Sequence, residues 1–162
     1  MKHKTYIALG SNIGDRRRNI ETAIALLGSH IEHMKSGGLY ETHPMYYRKQ
    51  LSFFNTVIAG YTYLSPSALL KHTQDIEKKV GRIYRFSNGP REIDIDIIYY
   101  NNTIYNTKNL LIPHLRRCER DFVLQPLVDL NHKLVDPVEK KKVITLLSEI
   151  PQEKRVIIQK IS

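Results

Sequence analysis

Glu92-Ile93-Asp94-Ile95-Asp96-Ile97-Ile98 alternates acid and isoleucine, and a period of two reads as a β-strand continuing to Tyr100. On such a strand Asp94 and Asp96 share one face, while Ile93, Ile95 and Ile97 share the other. Two residue rises put the aspartate Cα atoms roughly 6.6 Å apart, close enough for both carboxylates to converge on divalent ions. A strand with one solvated face would also alternate. Here, however, Glu92 extends the acids to three successive positions of one face, in a chain of net charge +9. Like charges side by side weaken a sheet unless a cation neutralises them. Hard oxygen ligands with no Cys or His cluster nearby favour magnesium over zinc.

Immediately upstream, Gly89-Pro90 fixes a turn that delivers Arg91 toward the carboxylate face. Arginine holds its charge at any relevant pH and grips phosphate oxygens in pairs. Acids that hold a cation, beside arginines, are the parts phosphoryl transfer needs.

Farther out, Tyr6–Leu9 reads as a buried strand stopped by Gly10-Ser11-Asn12. Asp15 is a candidate N-cap for a helix with Ile20, Ala23, Ile24 and Leu27 on its apolar face and Gly28 at its end. A strand is expected around Leu39–Thr42, a polar loop from His43 to Ser52, and a strand from Phe53 to Tyr63. Ser65-Pro66 starts a helix whose inner face is Leu69, Leu70, Thr73, Ile76 and Val80, ending at Gly81. An irregular loop covers Arg82 to Gly89. Asn101-Asn102 turns toward Thr103–Tyr105, Phe122–Leu130 reads as helix, and Leu146-Leu147 and Val156–Ile158 close the core. Strand, helix, strand, strand, helix, strand is the order of an α+β ferredoxin-like sandwich, expected as one domain over residues 1–162.

Apolar residues are 41% and charged residues 25% of the 162, as in ordinary globular proteins. Nothing approaches the ~20 apolar residues of a membrane span. Met1-Lys2-His3-Lys4-Thr5 carries no export signal, and the single Cys118 forms no internal disulfide, so a cytoplasmic location is expected. Arg116, Arg117 and Arg120 flank Cys118 and could lower its pKa, against the plainer reading of an ordinary free thiol. With 25 Lys and Arg against 16 Asp and Glu, the chain suits polyanions, and composition does not choose between nucleic acid and nucleotide. There is no G-x-x-x-x-G-K-[ST], and Gly10-Ser11-Asn12-Ile13-Gly14 does not fit G-x-G-x-x-G, so an ATP site must be built otherwise.

Gly89-Pro90-Arg91-Glu92-Ile93-Asp94-Ile95-Asp96-Ile97-Ile98 resembles the signature of the 6-hydroxymethyl-7,8-dihydropterin pyrophosphokinases. Tyr6–Asn12, Tyr40–Pro44, Phe53–Asn55, Gln74–Glu77, Gly81-Arg82 and Ile112–His114 through Arg120–Phe122 are similar to that family's other blocks, in order, over about residues 5 to 137. The resemblance implies transfer of a diphosphoryl group from ATP to a hydroxymethyl-pterin, with AMP released. It implies two Mg2+ ions on Asp94 and Asp96, and Arg82 and Arg91 stabilising the migrating charge. Gln74, Glu77, Ile97, His114 and Arg120 would bind ATP. Thr42, Pro44 and Met45 would line the pterin edge largely through backbone, Asn55 would read its hydrogen-bonding edge, and Phe53 and Phe122 would sandwich the ring. The partners expected are these small molecules, with no nucleic acid or membrane, and the chain is expected to act as a monomer.

The chain departs from the family at several points. It has no tryptophan, and Asn88 stands where one usually precedes Gly-Pro-Arg. Arg85 is the candidate for the loop's second arginine. Tyr46-Tyr47-Arg48-Lys49 replaces a run commonly built of glycine, proline and acidic or amide residues, and Leu115 follows His114 where tyrosine is often found. The rival reading is a basic, ferredoxin-like nucleic-acid-binding module. Against it, the aromatic signature of such sheets is absent, and an acidic strand face repels phosphates unless a metal intervenes.

Overall fold

In the computed structural model, which describes residues 1–162, β1 (His3–Ser11) runs into α1 (Arg16–Leu27). The Asp15 carboxylate accepts the Arg18 amide and caps that helix as expected. Three strands follow, β2 (Glu32–Ser36), β3 (Tyr40–Thr42) and β4 (Phe53–Thr62). Then α2 (Pro66–Val80) starts under the Ser65 hydroxyl, with proline at its first position, and ends at Gly81 in the left-handed region, φ 107°. The chain continues through β5 (Asp94–Tyr100), the short pair β6 (Tyr105–Asn106) and β7 (Leu111–Ile112), α3 (Asp121–Leu130), α4 (Val143–Glu149) and β8 (Ile157–Lys160).

The main sheet is antiparallel in the order β5-β1-β4-β3-β8, with β2 also paired to β4. The expected ferredoxin-like α+β arrangement is present, and more is packed onto it. On one face Ile7, Leu9, Ile93, Ile95 and Ile97 meet α1 and α2 through Ile20, Ala23, Leu27, Leu69 and Ile76. On the other, Tyr6, Val57, Ala59, Ile98 and Tyr99 meet α3 and α4 through Val123, Leu124, Leu127, Val143 and Leu146. Helices therefore cover both faces. That removes the open sheet on which a nucleic-acid module of this fold would stack bases.

A register shift puts Ile7 opposite Ile97 but Tyr6 opposite Tyr99, leaving Ile98 as an extra residue in β5. Asp94, Asp96, Ile98 and Tyr99 consequently share the α3 side. The apolar pair packs under the helices and the acidic pair lies beyond them.

Two readings change. β5 begins at Asp94 rather than Glu92, because the Glu92 carboxylate is gripped by Arg85 at 3.1 and 2.8 Å and accepts the Ile83 amide at 3.2 Å. The row of three acids is thus a row of two. β2 was not expected at all. Four of its five residues are exposed, so no apolar alternation marks it.

Candidate active site

A cleft of about 550 Å³ opens where β1, β3, β4 and β5 end against the start of α3. Its floor comes from β1 and β4, which pair Gly10 with Asn55. A Cβ at position 10 would stand 2.4 Å from Asn55 Oδ1, so glycine there lets the amide reach the cleft. Asn55 Nδ2 donates to Thr42 Oγ1 at 2.9 Å, leaving Oδ1 without a competing side chain. Phe53, Phe122, Met45 and Tyr46 supply apolar and aromatic walls.

Asp94 and Asp96 line this cleft, surrounded by four basic side chains from two segments, the connections from α2 to β5 and from β7 to α3. Asp94 Oδ1 is 3.0 Å from Arg82 Nη1, and its Oδ2 is 3.4 Å from Arg91 Nε. Asp96 Oδ2 lies 3.8 Å from His114 Nε2 and 3.9 Å from Arg120 Nη1. Surrounding protein, and then the Asp94 charge, push the Asp96 carboxyl up to about 7, although 32% of its side chain still faces the cleft. Burial and the neighbouring Arg120 push His114 down to about 4, so its imidazole is neutral near pH 7. The Arg116 amide points at His114 Nδ1 at 3.2 Å, which puts the ring proton on Nε2, the nitrogen facing Asp96. Two acids of which one resists ionisation form a pair that a cation would relieve. No cluster of three or more His, Cys, Asp or Glu occurs. Magnesium fits this donor set, since it takes one or two carboxylates and completes its shell with water and substrate phosphates.

Nine of the residues expected from the sequence line this one cleft: Thr42, Met45, Phe53, Asn55, Arg91, Asp94, Asp96, Arg120 and Phe122. The others lie around it. Arg82 and His114 reach it through the aspartates. Pro44 is buried beside Met45, and Gln74 is exposed on α2. Glu77 is turned inward, accepting Arg82 Nη1 at 2.6 Å and the Ile95 amide at 2.9 Å. Burial pushes its carboxyl up while the Arg82 charge opposes. The Ile97 side chain is in the core with Ile93 and Ile95, so only its backbone can face a ligand. β5 is an edge strand and the Ile95 amide points outward to Glu77. The pleat therefore turns the backbone of Ile97 the same way.

Arg85 is occupied by Glu92 and does not line the cleft. The Arg91 guanidinium sits 4.8 Å over the Phe53 ring, covering the face a stacked ligand would use. Asn12 is a hub that the sequence marked only as the end of a strand. Its Nδ2 donates to Gln50 Oε1 and Leu51 O, and its Oδ1 accepts the Arg91 amide at 2.9 Å. Tyr47 packs edge-on against Phe86, ring centroids 4.9 Å apart, which joins the two loops where no tryptophan is available. Burial raises the Cys118 thiol despite Arg117, in line with an ordinary thiol.

The family model described as 7,8-dihydro-6-hydroxymethylpterin-pyrophosphokinase (HPPK) matches residues 6–132. The chain is 46% identical over 134 residues to the folic acid synthesis protein fol1 of Pneumocystis carinii, covering 82% of this chain and 18% of that protein. It is 42% identical over 132 residues to the 2-amino-4-hydroxy-6-hydroxymethyldihydropteridine pyrophosphokinase of Bacillus subtilis, covering 80% of this chain and 79% of that one. It spans 18–20% of the length of the folic acid synthesis proteins it matches. In fold it is similar to wild-type Plasmodium falciparum HPPK-DHPS solved with pterin and p-hydroxybenzoate. That match has a TM-score of 0.74 at 17% identity, over 92% of this chain and 42% of the other. No helix is long and apolar enough to cross a membrane.

Proposed function

Because the chain belongs to the 7,8-dihydro-6-hydroxymethylpterin-pyrophosphokinase family, we propose that it transfers the diphosphoryl group of ATP to the hydroxymethyl oxygen of 6-hydroxymethyl-7,8-dihydropterin, a step of folate synthesis. The observation that carries this reading is the pairing, in one cleft, of an acid pair ringed by arginines with an aromatic and amide wall.

The flat pterin lies between Phe53 and Phe122, with its donor and acceptor edge on Asn55 and the backbone of Thr42, Pro44 and Met45. For Phe53 to offer its face, the Arg91 guanidinium moves off the ring and onto phosphate. The triphosphate lies along Arg82, Arg91, Arg120 and the Nε2–H of His114, with Gln74, Glu77 and the Ile97 backbone on the nucleoside side. Asp94 and Asp96 would hold two magnesium ions, which would supply neutralisation and alignment of the phosphate oxygens. The hydroxymethyl oxygen attacks the β-phosphorus, the bond from that phosphorus to the α,β-bridging oxygen breaks, and AMP leaves with that oxygen. The hydroxyl proton passes to solvent, and no side chain is assigned as a base. The protein's contribution is alignment, charge stabilisation and exclusion of water. One chain supplies all of these residues, which supports action as a monomer and as one domain over residues 1–162; the cytoplasm as its location is part of the same proposal.

The test is product identity. Incubated with MgATP and the hydroxymethyl-dihydropterin, the protein should release AMP in step with pterin diphosphate, and neither without the pterin. Release of ADP would make it an ordinary kinase and overturn the reading.

A further inference from the structure

Arg117 is 6% exposed and Asp136 is fully buried, and neither touches the cleft. Arg117 Nε and Nη2 donate to Asp136 Oδ2 and Oδ1 at 2.6 and 2.9 Å. Asp136 is itself fixed, since its Oδ1 accepts the Val138 and Glu139 amides at 2.9 Å each and its Oδ2 accepts the Tyr99 hydroxyl from β5. The third arm of the guanidinium, Nη1, donates to the His114 carbonyl at 2.9 Å, and the Arg117 amide points at the same oxygen at 3.3 Å.

These bonds act on the segment that faces Asp96. The His114 amide donates to Ile98 O at 3.1 Å and its ring Nδ1 accepts the Arg116 amide, so with the carbonyl held by Arg117 the only free polar atom of His114 is Nε2. The Arg120 amide donates to Arg117 O at 3.2 Å, which ties that arginine to the same anchor. His114 Nε2 and Arg120 Nη1 thus arrive together on Asp96 Oδ2. Only arginine can fork a carboxylate and keep another N–H for a carbonyl, whereas lysine offers one compact charge. A buried ion pair also stabilises a fold little more than packed apolar side chains would, so stability alone does not account for this one.

We propose that Arg117, held by Asp136, is a positioning residue for nucleotide binding: it orients His114 and Arg120 toward the triphosphate without touching it. The proposal rests on the functional reading above for the identity of that nucleotide.

Arg117→Met alone strands a buried carboxylate and is expected to lose stability. The decisive protein is therefore Arg117→Met with Asp136→Asn, which keeps an acceptor for the Val138 and Glu139 amides and leaves no buried charge. Thermal melts, calorimetric Kd for MgATP, and KM for each substrate would be measured beside wild type. Melting close to wild type is expected, with Kd and KM for MgATP raised at least about tenfold and the pterin KM changed less than about twofold. MgATP binding that recovers together with stability would show a merely structural pair, and equal losses for both substrates would show general distortion. Either result overturns the proposal. If wild type binds MgATP but releases no AMP, the functional reading falls, and the Kd comparison still decides this one. If wild type does not bind MgATP, both fall.

Discussion

Arg82 Nη1 stands 3.0 Å from Asp94 Oδ1 and 2.6 Å from Glu77 Oε2, so one nitrogen ties the first acid of β5 to helix α2. Glu77 Oε2 also accepts the Ile95 amide at 2.9 Å, satisfying the outward edge of the strand that carries the acids. On the proposed mechanism, the arginine assigned to the migrating charge is therefore committed to carboxylates until polyphosphate and metal compete for them. Arg82→Lys keeps the charge but not the planar fork. Turnover should fall about 100-fold, or ~2.7 kcal/mol of transition-state stabilisation. Unfolding free energy should change by no more than ~1 kcal/mol, since the ion pairs are partly exposed. Single-turnover AMP release beside urea unfolding checks both, and wild-type turnover in the lysine variant would mean that charge alone suffices.

The two aspartates should separate in stability while agreeing in activity. Asp94 is paired with Arg82 and Arg91, whereas the nearest groups to Asp96, the neutral His114 ring and the Arg120 guanidinium, stay at 3.8 and 3.9 Å. The Asp96 carboxyl is pushed upward, so its ionised form opposes folding above the ordinary carboxylate range. In metal-free buffer Asp96→Asn should hold or raise the melting temperature and Asp94→Asn should lower it. In saturating magnesium each should lose at least ~100-fold in turnover. Near-normal turnover in both would reduce the pair to a solvated strand face.

What the sequence made legible was periodic or chemically punctuated. Ile93, Ile95 and Ile97 announced β5, Asp15 and Ser65 announced their helices, and the alternation of Asp94 and Asp96 announced the face opposite the isoleucines. What it hid lacked such a signal. β2 is mostly exposed, so nothing in Glu32–Ser36 alternates, and only pairing with β4 makes it a strand. Glu92 fitted the acidic row by spacing, yet Arg85 takes it through a loop whose shape no local pattern encodes. Nothing in the sequence links Arg117 and Asp136, 19 residues apart, until the fold buries them together. Asn12 is equally silent, because its partners Gln50 and Arg91 are distant in the chain.

Phe122 lines the cleft at the start of α3 with the Arg120 guanidinium 5.8 Å from its ring, and it is less enclosed than Phe53. Phe122→Ala should weaken pterin binding about tenfold, from lost stacking and lost apolar contact, and leave the MgATP Kd within about twofold. Calorimetric titration of each ligand measures this. Equal weakening of both would identify Phe122 as core packing and remove the ring sandwich from the mechanism.

The buried pair gives a pH dependence with a defined sign. Burial alone would raise the Asp136 carboxyl, but the Arg117 fork, the Tyr99 hydroxyl and the Glu139 and Val138 amides outweigh it and hold it at about 2. A folded-state value below the 3.8 of a free aspartate means stability that is present above about pH 4 and lost as pH falls through about 2. The shift corresponds to roughly 2 kcal/mol. Asp136→Asn removes it, leaving Arg117 beside a neutral partner. At pH 6 the variant should therefore be less stable than wild type, and the gap should close between about pH 4 and 2. Glu41 and Glu92 are also held at about 2 by their partners, so both proteins lose stability in acid, but those losses are common to both and cancel in the difference. Urea midpoints of the two proteins, taken at half-unit steps from pH 6 to 2, give that difference directly. A gap that stays constant to pH 2 would mean that the Asp136 charge contributes nothing, and that the pair acts only through its shape.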